Sequence, residues 1–139
     1  MPYPIQDKLV IAVASSALFD LSESHQVWLD KGTDEYRKFQ REHENDPLLP
    51  GVAYPFIKRL LSLNDPANNY ESVEVILLSR NDPATVNRVF KTIQKYGLPI
   101  TRGAFVSGRD SYRYADAFNS SLFLSADQSN VQEAITAFL

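Results

Sequence analysis

Hydroxyl and guanidinium groups recur where the apolar runs of this sequence end. Ser15 and Ser16 follow the run Lys8–Ala14, and Ser79-Arg80-Asn81 follow Val73–Leu78. Ser107-Gly108-Arg109, with Arg113 close behind, follow Arg102–Val106, and the run Ser121–Ser125 gives way to Ala126-Asp127. Hydroxyls, backbone N–H groups and guanidinium forks are the groups that hold a phosphate. The same residue types make turns and cap helices, so type alone leaves both readings open. The candidates for holding phosphate or a nucleotide are Ser15, Ser16, Ser79, Arg80, Asn81, Arg109 and Arg113. Asp127 is a weak candidate metal ligand.

The elements that would position these groups follow from pattern. Lys8–Ala14 and Val73–Leu78 are short, continuous and rich in branched side chains, as expected of strands buried on both faces of a parallel sheet. Arg102–Val106 and Ser121–Ser125 are weaker strands. Helices are expected over Asp34–Glu44 and Val52–Leu63, the latter with Phe56, Leu60 and Leu63 on one face, widened by Ile57 and Leu61. Asp82-Pro83 starts a third helix and Gly97 ends it, with Val86, Val89, Phe90 and Ile93 as its apolar stripe. Ser129 caps a last one, with Val131, Ala134, Ile135 and Phe138 facing inward. Strand and helix alternate, which predicts an α/β fold, a doubly wound parallel sheet with right-handed crossovers. Residues 1–139 form one domain, and residues 21–64, with helices and no obvious strand, form a small helical cap insertion over the end of the first strand. In such sheets ligands bind beyond the carboxyl ends of the strands.

Composition narrows the function classes. An apolar fraction of 44% and a charged fraction of 22% in 139 residues suit one globular core. A formal charge of -3 argues against a nucleic-acid partner, and the lack of cysteine excludes disulfides and thiolate metal sites. Met1–Lys8 lacks the basic-then-apolar order of a secretory signal. No apolar segment reaches the about 20 residues of a membrane span. A cytoplasmic location without a membrane partner is expected. His25 and His43 have no partner at metal-ligand spacing, and His43-Glu44-Asn45 reads as a helix end before a turn. Trp28, Tyr36, Tyr54 and Tyr112 read as core or cap packing ahead of stacking on a base.

A strand ending in Asp-x-Asp-small-small-Leu-Phe is the first motif of haloacid-dehalogenase-type phosphatases; its first Asp attacks phosphorus and its second exchanges protons with the leaving group. Setting Leu18-Phe19 against that motif puts Val13 at the nucleophile's position and Ser15 at the acid's. Val13 has no nucleophilic atom, and a serine hydroxyl is far too weak an acid, so no catalytic residue is intact. Ser79 matches the Ser or Thr of the second motif. Arg109 and Arg113 stand where the third supplies a lysine, and Ala126-Asp127 offers one carboxylate where the fourth has an acidic pair for magnesium.

Ile11-Ala-Val-Ala-Ser-Ser-Ala-Leu-Phe-Asp20, His43-Glu-Asn-Asp-Pro-Leu48, Leu77-Leu-Ser-Arg-Asn81, Tyr96-Gly-Leu-Pro-Ile-Thr-Arg102 and Leu122-Phe-Leu-Ser-Ala-Asp127 together resemble the N-terminal half of cytosolic type I 5′-nucleotidases. The resemblance covers nearly the whole chain. It implies a haloacid-dehalogenase-like Rossmann fold and magnesium-dependent hydrolysis of nucleoside 5′-monophosphates through an aspartyl-phosphate. It also implies internal duplication, with this chain matching the degenerate copy and an Asp-Gly-Asp motif carried by the other. Asp127 alone makes tight magnesium binding by this chain unfavourable. Three roles follow: a portion of a 5′-nucleotidase that is inactive alone, a pseudo-phosphatase that binds nucleotide or phosphate, or an oligomerisation module. An uncovered sheet edge after the last helix leads to the expectation that another copy of the chain, or a C-terminal catalytic half, covers it.

Overall fold

Branched side chains without polar alternation leave a strand no face for water, and the two runs of that kind pair at the centre of the sheet. The computed structural model describes residues 8–65, 67, 72–79, 83–105, 114, 117–126 and 128–138. In chain order it contains β1 (Leu9–Ala14), α1 (Ser15–Leu18), β2 (Phe19–Asp20), α2 (Ser22–Lys31), α3 (Thr33–Glu42) and β3 (Leu49–Pro50). Then come α4 (Tyr54–Leu61), β4 (Val73–Ser79), α5 (Pro83–Lys95), β5 (Arg102–Phe105), β6 (Leu122–Leu124) and α6 (Gln128–Phe138).

The main sheet has four strands in the order β5-β4-β1-β6, all parallel. The α/β doubly wound arrangement is as expected. Successive crossovers from β1 move to β4 and then β5, and the chain returns to the other side of β1 for β6. The reversal therefore falls beside β1, where such sheets open a crevice at the strand ends.

Each face of β1 and β4 has its own core. Ile11, Val13, Val75 and Leu77 pack with Ala17, Leu18, Ile57, Leu61, Val89 and Ile93 from α1, α4 and α5. Val10, Ala12, Ile76 and Leu78 pack on the other face with Ala104, Phe118 and Phe123. Glu74 is the one charge buried in β4, and Arg102 Nε donates to its Oε1 at 2.7 Å from the neighbouring strand. At the end of α5, Gly97 takes φ 68°, Leu98 N–H reaches the Ile93 carbonyl and Gly97 N–H the Gln94 carbonyl. This helix stop needs a left-handed residue, which glycine supplies without a Cβ clash.

The structure corrects several expectations inside residues 21–64. The stretch contains a strand: β3 pairs antiparallel with β2, Phe19 opposite Pro50 and Asp20 opposite Leu49. A two-residue strand carries no alternation to read. Asp20 then starts α2, its Oδ1 accepting from Ser22 N–H at 2.9 Å and from the Ser22 hydroxyl at 2.6 Å; these bonds hold the carboxyl below the ordinary aspartate range. α4 turns Ile57 and Leu61 inward, while Phe56 is 44% and Leu63 59% exposed. The inward face was expected one position off, because five apolar residues in one short helix define a direction poorly. Ile135 of α6, expected inward, is 45% exposed.

Chain re-entry from the insertion is tight. Gly51 N–H bonds to the Leu18 carbonyl and Ala53 N–H to the Ala17 carbonyl, both at 2.9 Å. A Cβ on Gly51 would stand 2.5 Å from the Ala17 carbonyl oxygen and 2.9 Å from the carbonyl carbons of Leu18 and Phe19. All three are backbone atoms and cannot rotate away. Gly51→Ala is expected to cost about 1–3 kcal/mol, measured as a lowered urea midpoint by circular dichroism.

Candidate functional site

The carboxyl ends of β1 and β4 lie side by side, with Ala14 opposite Leu78. The next residues, Ser15 and Ser79, bring their hydroxyls together at 2.9 Å. Both side chains are buried, Ser15 at 2% and Ser79 at 1% exposure. Ser16, one residue on in α1, is exposed. Two of the residues singled out from the ends of separate apolar runs are thus in direct contact.

Val13 is fully buried, between Leu77 on β4 and Leu124 on β6 in register, and belongs to the core packed under α1 and α4. Arg80, Asn81, Arg109, Arg113 and Asp127 lie outside the described residues, as does Tyr112. The two histidines are engaged elsewhere. His25 stacks on Trp28 at 5.7 Å, and His43 stacks on Phe39 at 4.0 Å with Nδ1 2.8 Å from the Phe39 carbonyl oxygen. A carbonyl only accepts, so Nδ1 carries the proton in that contact. His43 is the residue after α3, as the helix-end reading expects. Tyr54 packs with Phe19 and Tyr96 in the core.

One cluster escaped the sequence reading. On α5 the buried residues include Thr85, Arg88 and Thr92, which face the insertion rather than the sheet. Arg88 Nη1 donates to Gln40 Oε1 at 3.1 Å and Arg88 Nε to the Asp46 carbonyl at 3.0 Å. Tyr36 shares a hydrogen bond with the Thr85 hydroxyl, and Leu48 N–H donates to Thr92 Oγ1 at 3.1 Å. The signal was present: positions 85, 88 and 92 fall at spacings of three and four, one helical face. Reading α5 for its apolar stripe alone passes over it.

The family model for 5′-nucleotidase matches residues 1–139. The chain belongs to the 5′-nucleotidase family. A curated relative, human cytosolic 5′-nucleotidase 1B, is 30% identical over an alignment of 141 residues that covers 96% of this chain and 23% of the relative. This chain therefore spans about a quarter of the relative's length. No solved structure matches the chain. No helix among the described residues is long and apolar enough to cross a membrane.

Family membership makes a metal-dependent phosphatase site the natural comparison. The described residues at these strand ends do not fit a magnesium ion. That ion takes carboxylate and phosphate oxygens in near-ideal octahedral geometry, and Val13, Ser15 and Ser79 supply two neutral hydroxyls and no charge. Among the described residues no three of His, Cys, Asp and Glu come together as a metal-holding group. What Ser15 and Ser79 can do is join β1 to β4 and offer neutral hydrogen bonds.

Proposed function

We propose that this chain is the portion of a 5′-nucleotidase-family protein that does not attack phosphorus. On this reading the hydrolysis of nucleoside 5′-monophosphates is performed by a carboxylate outside these residues, in a further part of the protein or in a partner. The observation that carries it is Val13, fully buried among apolar side chains at the place where the motif comparison puts the attacking aspartate. The Ser15–Ser79 contact supports it, because the proposed acid position carries a hydroxyl already bonded to its neighbour. A hydroxyl of ordinary acidity neither protonates a leaving group nor attacks phosphorus near neutral pH. A cytoplasmic setting belongs to the same proposal, in keeping with the relative's name.

A second reading rests on Ser16, exposed beside the crevice. It could join Arg80, Asn81, Arg109, Arg113 and Asp127 in holding a nucleotide or phosphate without turnover. A single experiment separates the cases. The purified chain, incubated with AMP or IMP and magnesium, is expected to release no phosphate above the buffer rate. If it holds nucleotide without turnover, AMP or IMP raises its melting temperature; an unchanged melting temperature favours the structural or oligomerisation role. Magnesium-dependent release that disappears in Asp127→Asn would overturn the inactive assignment.

A further inference from the structure

Two stretches of this chain put apolar side chains into water, and their charges are opposite. They flank the β2–β3 ribbon, α2 following β2 and α4 following β3. Residues 47–63 run through β3 and α4 and contain Lys58 and Arg59 with no carboxylate. Leu49 is 68% and Val52 84% exposed, and Phe56 and Leu63 are exposed as well. Val52, Phe56 and Leu63 follow one another at spacings of four and seven, the repeat of one helical side. Residues 20–35 hold α2 and the start of α3, with five carboxylates against one lysine. In their midst Trp28 is 46% and Leu29 57% exposed. Lys58, Arg59 and all five carboxylates face solvent.

Single exposed apolar residues are ordinary on a soluble protein, whereas a group of them marks a surface that something covers. Trp28 is also fixed before any partner arrives. Its indole Nε1 donates to Thr33 Oγ1 at 3.3 Å, and its ring stacks on His25. A ring already held in place loses little conformational freedom on binding, and tryptophan is among the side chains that anchor interfaces. Both groups are open in the same chain, so neither covers the other within it. A second copy supplies to each what it lacks: apolar area, with charge of the opposite sign around it. Two copies related by a two-fold axis make that contact twice, α4 of each on α2 of the other, because a two-fold contact is reciprocal. The doubling matters, since one such group is small beside the roughly 800 Å² per partner of a specific interface.

We propose that this chain associates with a second copy of itself, the Trp28–Leu29 surface of α2 seated on the surface formed by Leu49, Val52 and Phe56. The contact uses no strand of the main sheet, so it differs from pairing at the sheet edge, and it holds whether or not the chain binds nucleotide. Sedimentation equilibrium of the whole chain between about 1 and 300 μM is expected to give a mass that rises from one chain to two. Trp28 is the sole tryptophan, so its emission should move to shorter wavelength over the same range. Val52→Asp places a carboxylate where the free chain already meets water. Its melting temperature at low concentration should match the parent's, while association weakens by about tenfold or more. A chain carrying Lys58→Glu and Arg59→Glu should stay monomeric, as should one carrying Asp30→Lys and Asp34→Lys, and an equimolar mixture of the two should pair. A parent chain that is monomeric throughout overturns the proposal and leaves both surfaces to a different partner. Association that Val52→Asp leaves untouched overturns it too, as does a mixture of the swapped chains that fails to pair. Should either swapped chain fail to fold, Val52→Asp and the Trp28 emission decide alone.

Discussion

Val13→Asp is expected to destabilise the chain severely and to bring no phosphatase activity with it. The substitution restores the residue type that the motif comparison calls for, so it asks whether one side chain separates this chain from an active enzyme. The surroundings answer through energetics. Val13 has no exposed surface and packs with Ile11, Leu18, Leu77 and their neighbours. A carboxylate placed there loses its hydration, and the apolar side chains around it give back neither charge nor hydrogen bonds. The expected cost is about 4 kcal/mol or more, set against a typical domain stability of about 5–15 kcal/mol.

The pH dependence identifies the cause. Burial raises the folded-state pKa of the new aspartate above its unfolded value of about 3.9. The ionisation part of the penalty is then small near and below that value and grows as pH rises toward the raised folded pKa, because only the unfolded chain releases the proton freely; the cost of burying the neutral carboxyl without partners remains at every pH. The variant should recover stability between about pH 8 and pH 4 relative to the parent chain. Melting curves at the two pH values, with a phosphate-release assay beside them, check both halves. A variant that melts within a few degrees of the parent and hydrolyses AMP with magnesium would sink the assignment of Val13 to the core.

The same residues show what was legible from sequence. Leu9–Ala14 and Val73–Ser79 declare themselves because strands buried on both faces need branched side chains at nearly every position, and few other elements do. Pro83 at the start of α5 and Gly97 after its end are legible because each answers a backbone constraint. The neighbourhood of Ser15 and Ser79 follows once the two strands are paired in parallel. Their mutual hydrogen bond does not, since it depends on side-chain rotation about a register that the sequence leaves free. α2 gave no signal because it faces α3 and solvent, burying only Ser24; with no apolar stripe there is no period to detect. The Thr85–Arg88–Thr92 face was overlooked for a related reason. Hydrophobic periodicity finds surfaces that avoid water, and this surface is buried through hydrogen bonds instead.

Phe19→Ala is the other large effect, and it separates the body from the insertion. Phe19 is fully buried, with its ring 6.0 Å from that of Tyr96 and 6.5 Å from that of Tyr54. It is also the first residue of the ribbon from which the insertion departs. Truncation to alanine removes a whole ring from a core that α1, α4 and α5 close from several sides, so collapse into the space is limited. The expected loss is about 3–5 kcal/mol, a fall of roughly 10 °C or more in melting temperature for a domain of this size. Because the ring supports the sheet core and the base of the ribbon together, far-UV circular dichroism and the fluorescence of Trp28 on α2 should report one coincident transition at the lower temperature. Phe19→Leu, which keeps much of the apolar volume, should lose distinctly less. A Phe19→Ala chain that melts with the parent would mean that the core is not organised around this ring. A variant in which only the Trp28 signal moves would place Phe19 with the insertion rather than with the body.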